Sequence, residues 1–321
     1  MSTEIPPRLT SALKRWGRTC TVLSRDKGGA NSRIFSFVDE SGTRICAKLH
    51  HLGPNNDSPR YQREKRFYKA VQSASGSMMP TALHWDDKAC VGFFEFIHGT
   101  KVDTASEDDV ALAGEFVRNL QKADATDLSP ASEAALQPED HAEIIEARLS
   151  KLRSLSDANA ASFVHNELSP AWTSVRGRIK PSPATPIISP SDFGFHNIFR
   201  RPSGNLCFFD FEHAGMDDPA KLVCDFFVRP DAGVSPSWME AFCASAGLGK
   251  DVLERAIGLM DLYRIKWACI ALNDFTPEGS ARREFAASDI GQQRAQRLAK
   301  ARALVREVAK SSRSEKHLPE H

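Results

Sequence analysis

One acidic residue limits what this chain can become. Asp210 stands inside Leu206-Cys207-Phe208-Phe209-Asp210-Phe211, a run otherwise suited to a buried strand. A carboxylate buried there without a partner is costly, so the fold must bring it a cation or hydrogen-bond donors. Upstream, Ile198-Phe199 reads as a second strand, with Pro202-Ser203-Gly204-Asn205 as the turn between the two. A hairpin centred on Ser203/Gly204 sets Asn197 directly opposite Asp210, with Cβ atoms ~5 Å apart. An amide oxygen and a carboxylate so placed can share one hard cation. Mg²⁺ is usually held by one or two carboxylates together with phosphate oxygens. Asp192 precedes Asn197 in a loop containing Gly194. A carboxylate there could orient a hydroxyl and accept its proton beside the metal. Read without chemistry, Asp192 caps a turn, Asn197 starts a strand and Asp210 has no explanation.

The first hundred residues are rich in short strands: Thr21–Leu23, Arg33–Val38, Arg44–Leu49 and Val91–Ile97, the last closed by Gly99. Alternation along Arg44–Leu49 puts Cys46 and Lys48 on one face and Ile45, Ala47 and Leu49 on the other. Ser58-Pro59 reads as the start of a helix running to about Val71. In that helix Tyr61, Glu64, Tyr68 and Val71 share a stripe, so Glu64 sits on the apolar face and requires a cation or donors. Lys48 is the natural partner. A snorkelling Lys and an edge Glu are the bland version of the same residues. Between the first two strands lies Lys27-Gly28-Gly29-Ala30-Asn31-Ser32. Small residues there let backbone N–H groups approach phosphates, although a plain Gly-Gly hairpin looks the same. It is not a Walker A loop, because no Gly-Lys-Ser/Thr follows.

After Gly99 the pattern becomes helical. Ala113, Phe116, Val117 and Leu120 form one stripe behind a Ser106 cap, and 139–155 carries Ile145, Leu149 and Leu152 on one face. A strand-rich section, roughly 187–211, interrupts the helices, which resume from about Ser237. The expected architecture is therefore α+β in two lobes: a small antiparallel-sheet N-lobe (1–99), a larger helical C-lobe (100–310) and a disordered polar tail (311–321). The basic face of the last helix reads as solvated, with membrane or RNA contact as the weaker reading. Lys+Arg 42 against Asp+Glu 41 leaves a net charge of +1, unlike a dedicated nucleic-acid binder. Seven widely spaced cysteines without a CxxC pair suit buried thiols in a reducing compartment rather than zinc ribbons or disulfides. No leader and no membrane-length apolar run is visible, so the expectation is a cytoplasmic protein.

Asp192-x-x-x-x-Asn197 followed across a hairpin by Asp210-Phe211-Glu212 resembles the catalytic and metal loops of aminoglycoside phosphotransferase-like small-molecule kinases, the group that includes choline kinases. Those enzymes share the protein-kinase fold. The resemblance covers Gly28 to about Asp225. It implies transfer of the ATP γ-phosphoryl group to a hydroxyl of a small molecule: a sugar, an aminoglycoside or an amino alcohol. On that resemblance Asp192 is the catalytic base, and Asn197 and Asp210 bind Mg²⁺. Lys48, in a VAIK-like Ile45-Cys46-Ala47-Lys48 and held by Glu64, grips phosphates. Gly28, Gly29, Ala30, Asn31 and Ser32 line the nucleotide with Cys46. Backbone groups near Glu95 and Ile97 form the adenine hinge. Asp217, Asp218 and Asp225 are expected as capping or scaffold carboxylates. Two departures stand out. Pro190-Ser191 replaces the usual His-Gly before the catalytic Asp, and Glu212 replaces the Gly of a protein-kinase DFG. The first leaves room for a silent ATP-binding pseudokinase. The second, with no Ala-Pro-Glu segment, points away from a protein kinase. Trp238, Tyr263, Trp267, Asn273, Asp274 and Phe275 are candidate acceptor-wall residues that could equally be core.

Overall fold

The computed structural model describes residues 5–26, 32–53, 55, 57–177, 182–230, 233–277 and 290–315. Five antiparallel strands build the N-terminal sheet: β1 (Cys20–Asp26), β2 (Ser32–Asp39), β3 (Arg44–His50), β4 (Ala82–Asp86) and β5 (Val91–Glu95), in the order β1-β2-β3-β5-β4. The expected Asp39–Gly42 turn joins β2 to β3. Asp39 Oδ1 accepts from the N–H of Ser41 and of Thr43, both at 3.0 Å, and Gly42 takes φ 81°.

The two faces of β3 divide as alternation dictates. Ile45, Ala47 and Leu49 join Phe35, Phe37, Val91 and Phe93 in a small core. That core is closed by α1 (Pro7–Trp16), through Leu9, Ala12 and Leu13. The sequence reading did not anticipate this helix, although its signals are present: proline in the first turn and Gly17 in a left-handed C-cap. The opposite face faces α2 (Pro59–Ser75), whose Ser58 cap accepts from Tyr61 N at 3.3 Å.

The helical part comprises α3 (Glu107–Leu120), α4 (Asp140–Leu152), α5 (Ala158–Phe163), a π turn (Val164–Leu168), α6 (Ser169–Arg176), α7 (Pro219–Val228), α8 (Met239–Ala246), α9 (Lys250–Ala271) and α10 (Ile290–Glu315). Ser106 and Asp109 form a reciprocal capping box on α3. Short strands β6 (Thr100–Lys101), β7 (Ile187–Ser189), β8 (Ile198–Arg200), β9 (Leu206–Phe208) and β10 (Gly215–Asp217) make two small sheets, β6-β8-β9 and β10-β7.

Three expectations need correction. The β8–β9 hairpin is one residue off the expected register. Ile198 faces Phe208, and Asn197 O accepts from Phe209 N at 3.1 Å, so Asp210 lies beyond the ladder rather than opposite Asn197. The cause is the turn. Arg201 N donates to Asn205 O, which closes a three-residue loop with Gly204 at φ 86°, not a two-residue one. The hinge strand ends at Glu95 and not at Ile97. The final helix continues to Glu315, so 311–315 of the expected tail are helical.

One large core runs through both lobes. It joins Phe67, Tyr68 and Phe94 to Phe116, Phe193, Phe208, Phe211 and Phe226. Phe116 stacks on Phe208 with centroids 4.3 Å apart, and Phe211 packs on Phe67 at 4.8 Å. The lobes meet closely at Gly99, where an added Cβ would lie 2.6 Å from Arg200 O. Gly99→Ala is therefore expected to lower stability by about 1–3 kcal/mol in urea denaturation, since the contact is with backbone.

Candidate active site

The described site residues anticipated from sequence lie around one crevice of about 1120 Å³ between the lobes: Ser32, Cys46, Lys48, Glu64, Glu95, Ile97, Asp192, Asn197 and Asp210. Gly28, Gly29, Ala30 and Asn31 lie outside the described residues.

Strand β3 and helix α2 deliver the first cluster. Lys48 Nζ sits 2.8 Å from Glu64, 2.5 Å from Asp210 and 3.2 Å from Glu212. Glu64 also accepts from Phe211 N at 3.0 Å and lies 3.0 Å from His50 Nε2. Arg60 reaches Glu212 at 3.5 Å. Three carboxylates thus surround one ammonium. Burial raises the Asp210 carboxyl, and Glu212 and Glu64 raise it further, against the pull of Lys48. Burial also opposes ionisation of Glu64 and Glu212. There Lys48, with His50 for the first and His213 for the second, outweighs it and holds both below the usual range.

The second cluster rests on the aromatic core. Phe193 and Phe195 point into it, which turns Asp192, His196 and Asn197 toward the crevice. Asn197 Nδ2 donates to Asp192 O at 3.0 Å, closing the loop on itself. Arg229, just past α7, donates to Asp192 Oδ1, and His196 Nε2 lies 3.5 Å away. Burial raises the Asp192 carboxyl, but these two neighbours outweigh it and hold it well below the ordinary range. Asp192 and Asp210 are each about a third exposed, whereas Lys48 and Glu64 are 6% and 1% exposed. The first pair can meet a ligand directly, and Glu64 can act only through Lys48.

Two residues at the site take the left-handed conformation without being glycine: Ser191 (φ 64°) and Asp210 (φ 70°). Asp210 reaches the crevice because this twist ends the strand and re-aims its side chain. The expected cross-strand pairing does not bring it there. Ser191 occupies the position at which the resembled kinases carry glycine.

Other assignments sort by geometry. Glu95 spends its N–H on Thr81 O and its carboxylate on Arg201, and residues 96–99 leave the ladder at the crevice edge. Asp218 caps α7 and meets His141 and Arg255, while Asp217, Lys221, Asp225 and Lys266 form a buried charge chain, as scaffold residues should. Of the candidate wall residues, Trp267 lines the crevice; Tyr263 is fully buried against His141. All seven cysteines are free thiols. Among the described residues no helix is long and apolar enough to cross a membrane. Sequence reasoning missed Arg229, His196, His213, His50 and the pairing of Glu212. Glu212 alone carried a local signal, an acid two residues from Asp210.

A small antiparallel sheet over a helical lobe, with a Lys–Glu pair facing two acidic loops, defines a protein-kinase-like phosphotransferase fold. Residues 22–255 match the phosphotransferase enzyme family, and the chain belongs to it. No curated protein sequence matches the chain. Among solved structures it resembles a choline kinase from Streptococcus pneumoniae (15% identity, 93% of this chain and 98% of that one, TM-score 0.62). It also resembles a choline/ethanolamine kinase family protein from Mesorhizobium loti (17%, 88% of each chain, TM-score 0.59). A third is a thermostable aminoglycoside phosphotransferase in ternary complex with ADP and hygromycin B (16%, 92% and 97%, TM-score 0.62).

Two stability experiments follow from this geometry. Lys48→Met removes the one ammonium that three buried carboxylates share and should cost about 3–5 kcal/mol. Their folded pKa values would then rise above the unfolded ones, so the variant should lose further stability as pH rises from 5 to 8 in urea titrations. Ser191→Gly relieves a left-handed serine and should raise stability by roughly 1 kcal/mol, read as an increased melting temperature.

Proposed function

We propose that the protein transfers the γ-phosphoryl group of ATP to a hydroxyl of a small molecule. The observation that carries this reading is Lys48, held between Glu64 and Asp210 on the same crevice as Asp192 and Asn197. Neighbouring structures that contain ADP or AMP support a nucleotide as donor.

Mg²⁺ fits the residues present. The Asp210 carboxyl lies among like charges that Lys48 alone does not neutralise, and an additional cation would relieve them. Asp210 and Asn197 offer the hard oxygens that Mg²⁺ takes beside phosphate. Bound there, the ion would neutralise charge on the phosphates. Lys48 would move from Asp210 to the phosphate oxygens, keeping Glu64 as its anchor. Ser32, Cys46 and the 95–97 segment would enclose the nucleotide base and sugar.

Asp192 stands where an acceptor hydroxyl would approach. A carboxylate held below the ordinary range is a weak base. Its work is therefore orientation, with the hydroxyl proton accepted as the bond to phosphorus forms, which suits a loose phosphoryl-transfer transition state. Arg229 and His196 hold the carboxylate in place until the acceptor arrives.

Asp192→Asn should lower ADP formation by about 10²–10⁴-fold in a coupled assay with ATP affinity retained. Turnover unaffected by this change would remove the assignment. In the wild type, Asp192 should give no acid limb in kcat/KM above about pH 5, because its carboxyl sits below the usual range of about 3.9. Arg229→Gln removes a cation and should move that limb upward. Nucleotide binding without ADP formation across a broad set of hydroxyl acceptors would replace the enzyme by an ATP-binding scaffold.

A further inference from the structure

We propose that Trp267 is a positioning residue for phosphoryl transfer: its indole face sets the Arg229 guanidinium, which pins Oδ1 of Asp192 and leaves Oδ2 to the acceptor hydroxyl. The inference rests on the phosphoryl-transfer reading and adds the residue that aims its base.

A hydroxyl held in line with phosphorus needs a carboxylate oxygen at one place, and small misplacements are costly. A carboxylate on a loop can turn about its Cβ–Cγ bond unless one oxygen is tied. On Asp192 both side-chain contacts fall on the same atom. Arg229 donates to Oδ1, and His196 Nε2 lies 3.5 Å from it. The pairing therefore fixes the rotation without consuming Oδ2. Arg229 is the closer partner, so its position decides where Oδ1 rests.

Arg229 must in turn be held. It ends α7 at φ −51°, ψ 128°, the extended form that a following Pro230 favours. An added Cβ at Gly194 would lie 3.7 Å from Arg229 Cδ, so the arginine stem runs close against the 192–197 loop. Its Nε–H makes no hydrogen bond among the described residues. The contacts that locate the guanidinium are Asp192 Oδ1 and the Trp267 ring, whose centroid lies 4.8 Å from Cζ. A cation is attracted to an indole face, and more strongly where water is partly excluded. The Arg229 side chain is mostly buried.

The indole is fixed from α9. Trp267 Nε1 donates to Asp225 Oδ1 at 2.9 Å, and Lys266 Nζ donates to the two oxygens of Asp225 at 2.8 and 2.7 Å. Lys221 stands 3.5 Å from Asp225 and 2.5 Å from Asp217. Asp217, Lys221, Asp225 and Lys266 are all buried. The charge chain inside the helical lobe thereby sets the plane of one ring at the crevice, and through that ring the aim of Asp192.

The test is a double-mutant cycle read in three backgrounds. Unfolding constants of the parent, Asp192→Asn, Arg229→Gln and the double variant are measured in urea, then again with Trp267→Leu and with Trp267→Phe. The Asp192–Arg229 coupling should be about fivefold or more in the unfolding constant with tryptophan present. It should shrink about threefold with leucine and stay within about twofold with phenylalanine, which keeps an aromatic face. A tryptophan that only fills space would weaken all four proteins alike and leave the coupling unchanged. That result would overturn the proposal, as would no coupling with tryptophan present. A second measurement serves if the leucine variant does not fold. In protein carrying 5-fluorotryptophan, the Trp267 resonance, assigned from Trp267→Phe, should move on Asp192→Asn; a resonance indifferent to that change would also overturn the proposal. ADP formation is followed with water, glucose, glucosamine and choline as acceptors. Trp267→Leu should lower kcat about tenfold and leave KM for ATP and for the organic acceptor within about twofold. A raised acceptor KM at unchanged kcat would make the indole part of the binding wall and overturn the positioning role. Coupling that depends on Trp267, with no ADP formed from any acceptor, would uphold the placement of Asp192 and remove phosphoryl transfer. ADP formation with a coupling indifferent to Trp267 would do the reverse.

Discussion

The ion pair between Lys48 and Glu64 is the contact on which the site depends. Glu64 is fully buried, and its two oxygens serve three groups at once: Lys48 and His50 of β3 and the Phe211 N–H after β9. Breaking it would leave a carboxylate in the core and free the loop that carries Asp210. A buried pair of this kind is not by itself a large source of stability, because desolvation offsets most of the attraction. Its value lies in register. It sets the height of α2 against the sheet and the position of Asp210 against both.

Around that contact the site is arranged by sign. Glu64, Asp210 and Glu212 gather around Lys48, while Arg297 and Lys300 line the crevice from α10 and Arg229 from just past α7. Asp192 lies between the two, ionised because Arg229 and His196 outweigh its burial. The aromatic bed beneath, from Phe67 through Phe211 to Phe116 and Phe226, lets alternate residues of the 192–197 loop face the crevice while their neighbours anchor it.

Much of this was legible in the chain, and the reasons are local. The two-residue period of a strand separates Lys48 from Ala47, and the helical period puts Glu64 with Tyr61 and Tyr68. Asp210 announced itself by being an acid in an apolar run. The Asn197–Asp210 pairing failed because the strand register depends on whether Gly204 closes a two- or three-residue loop, and composition is compatible with both. The twist at Asp210 then restored by backbone conformation what the register had removed. Arg229 gave no signal, since its partner Asp192 is 37 residues away and only the packing of α7 unites them. The N-terminal helix was missed because Pro7 and Gly17 bracket a segment short enough to pass for a strand-flanking linker.

The continuity of the main core constrains how the crevice can work. Phe94 of β5 and Phe67 and Tyr68 of α2 belong to the same packed body as Phe116 and Phe208. Swinging the sheet away from the helices would open a void among these rings, and dense interiors resist that. The shared rings therefore tie α2 and β5 to the floor of the crevice, and opening it widely would cost the contacts among them.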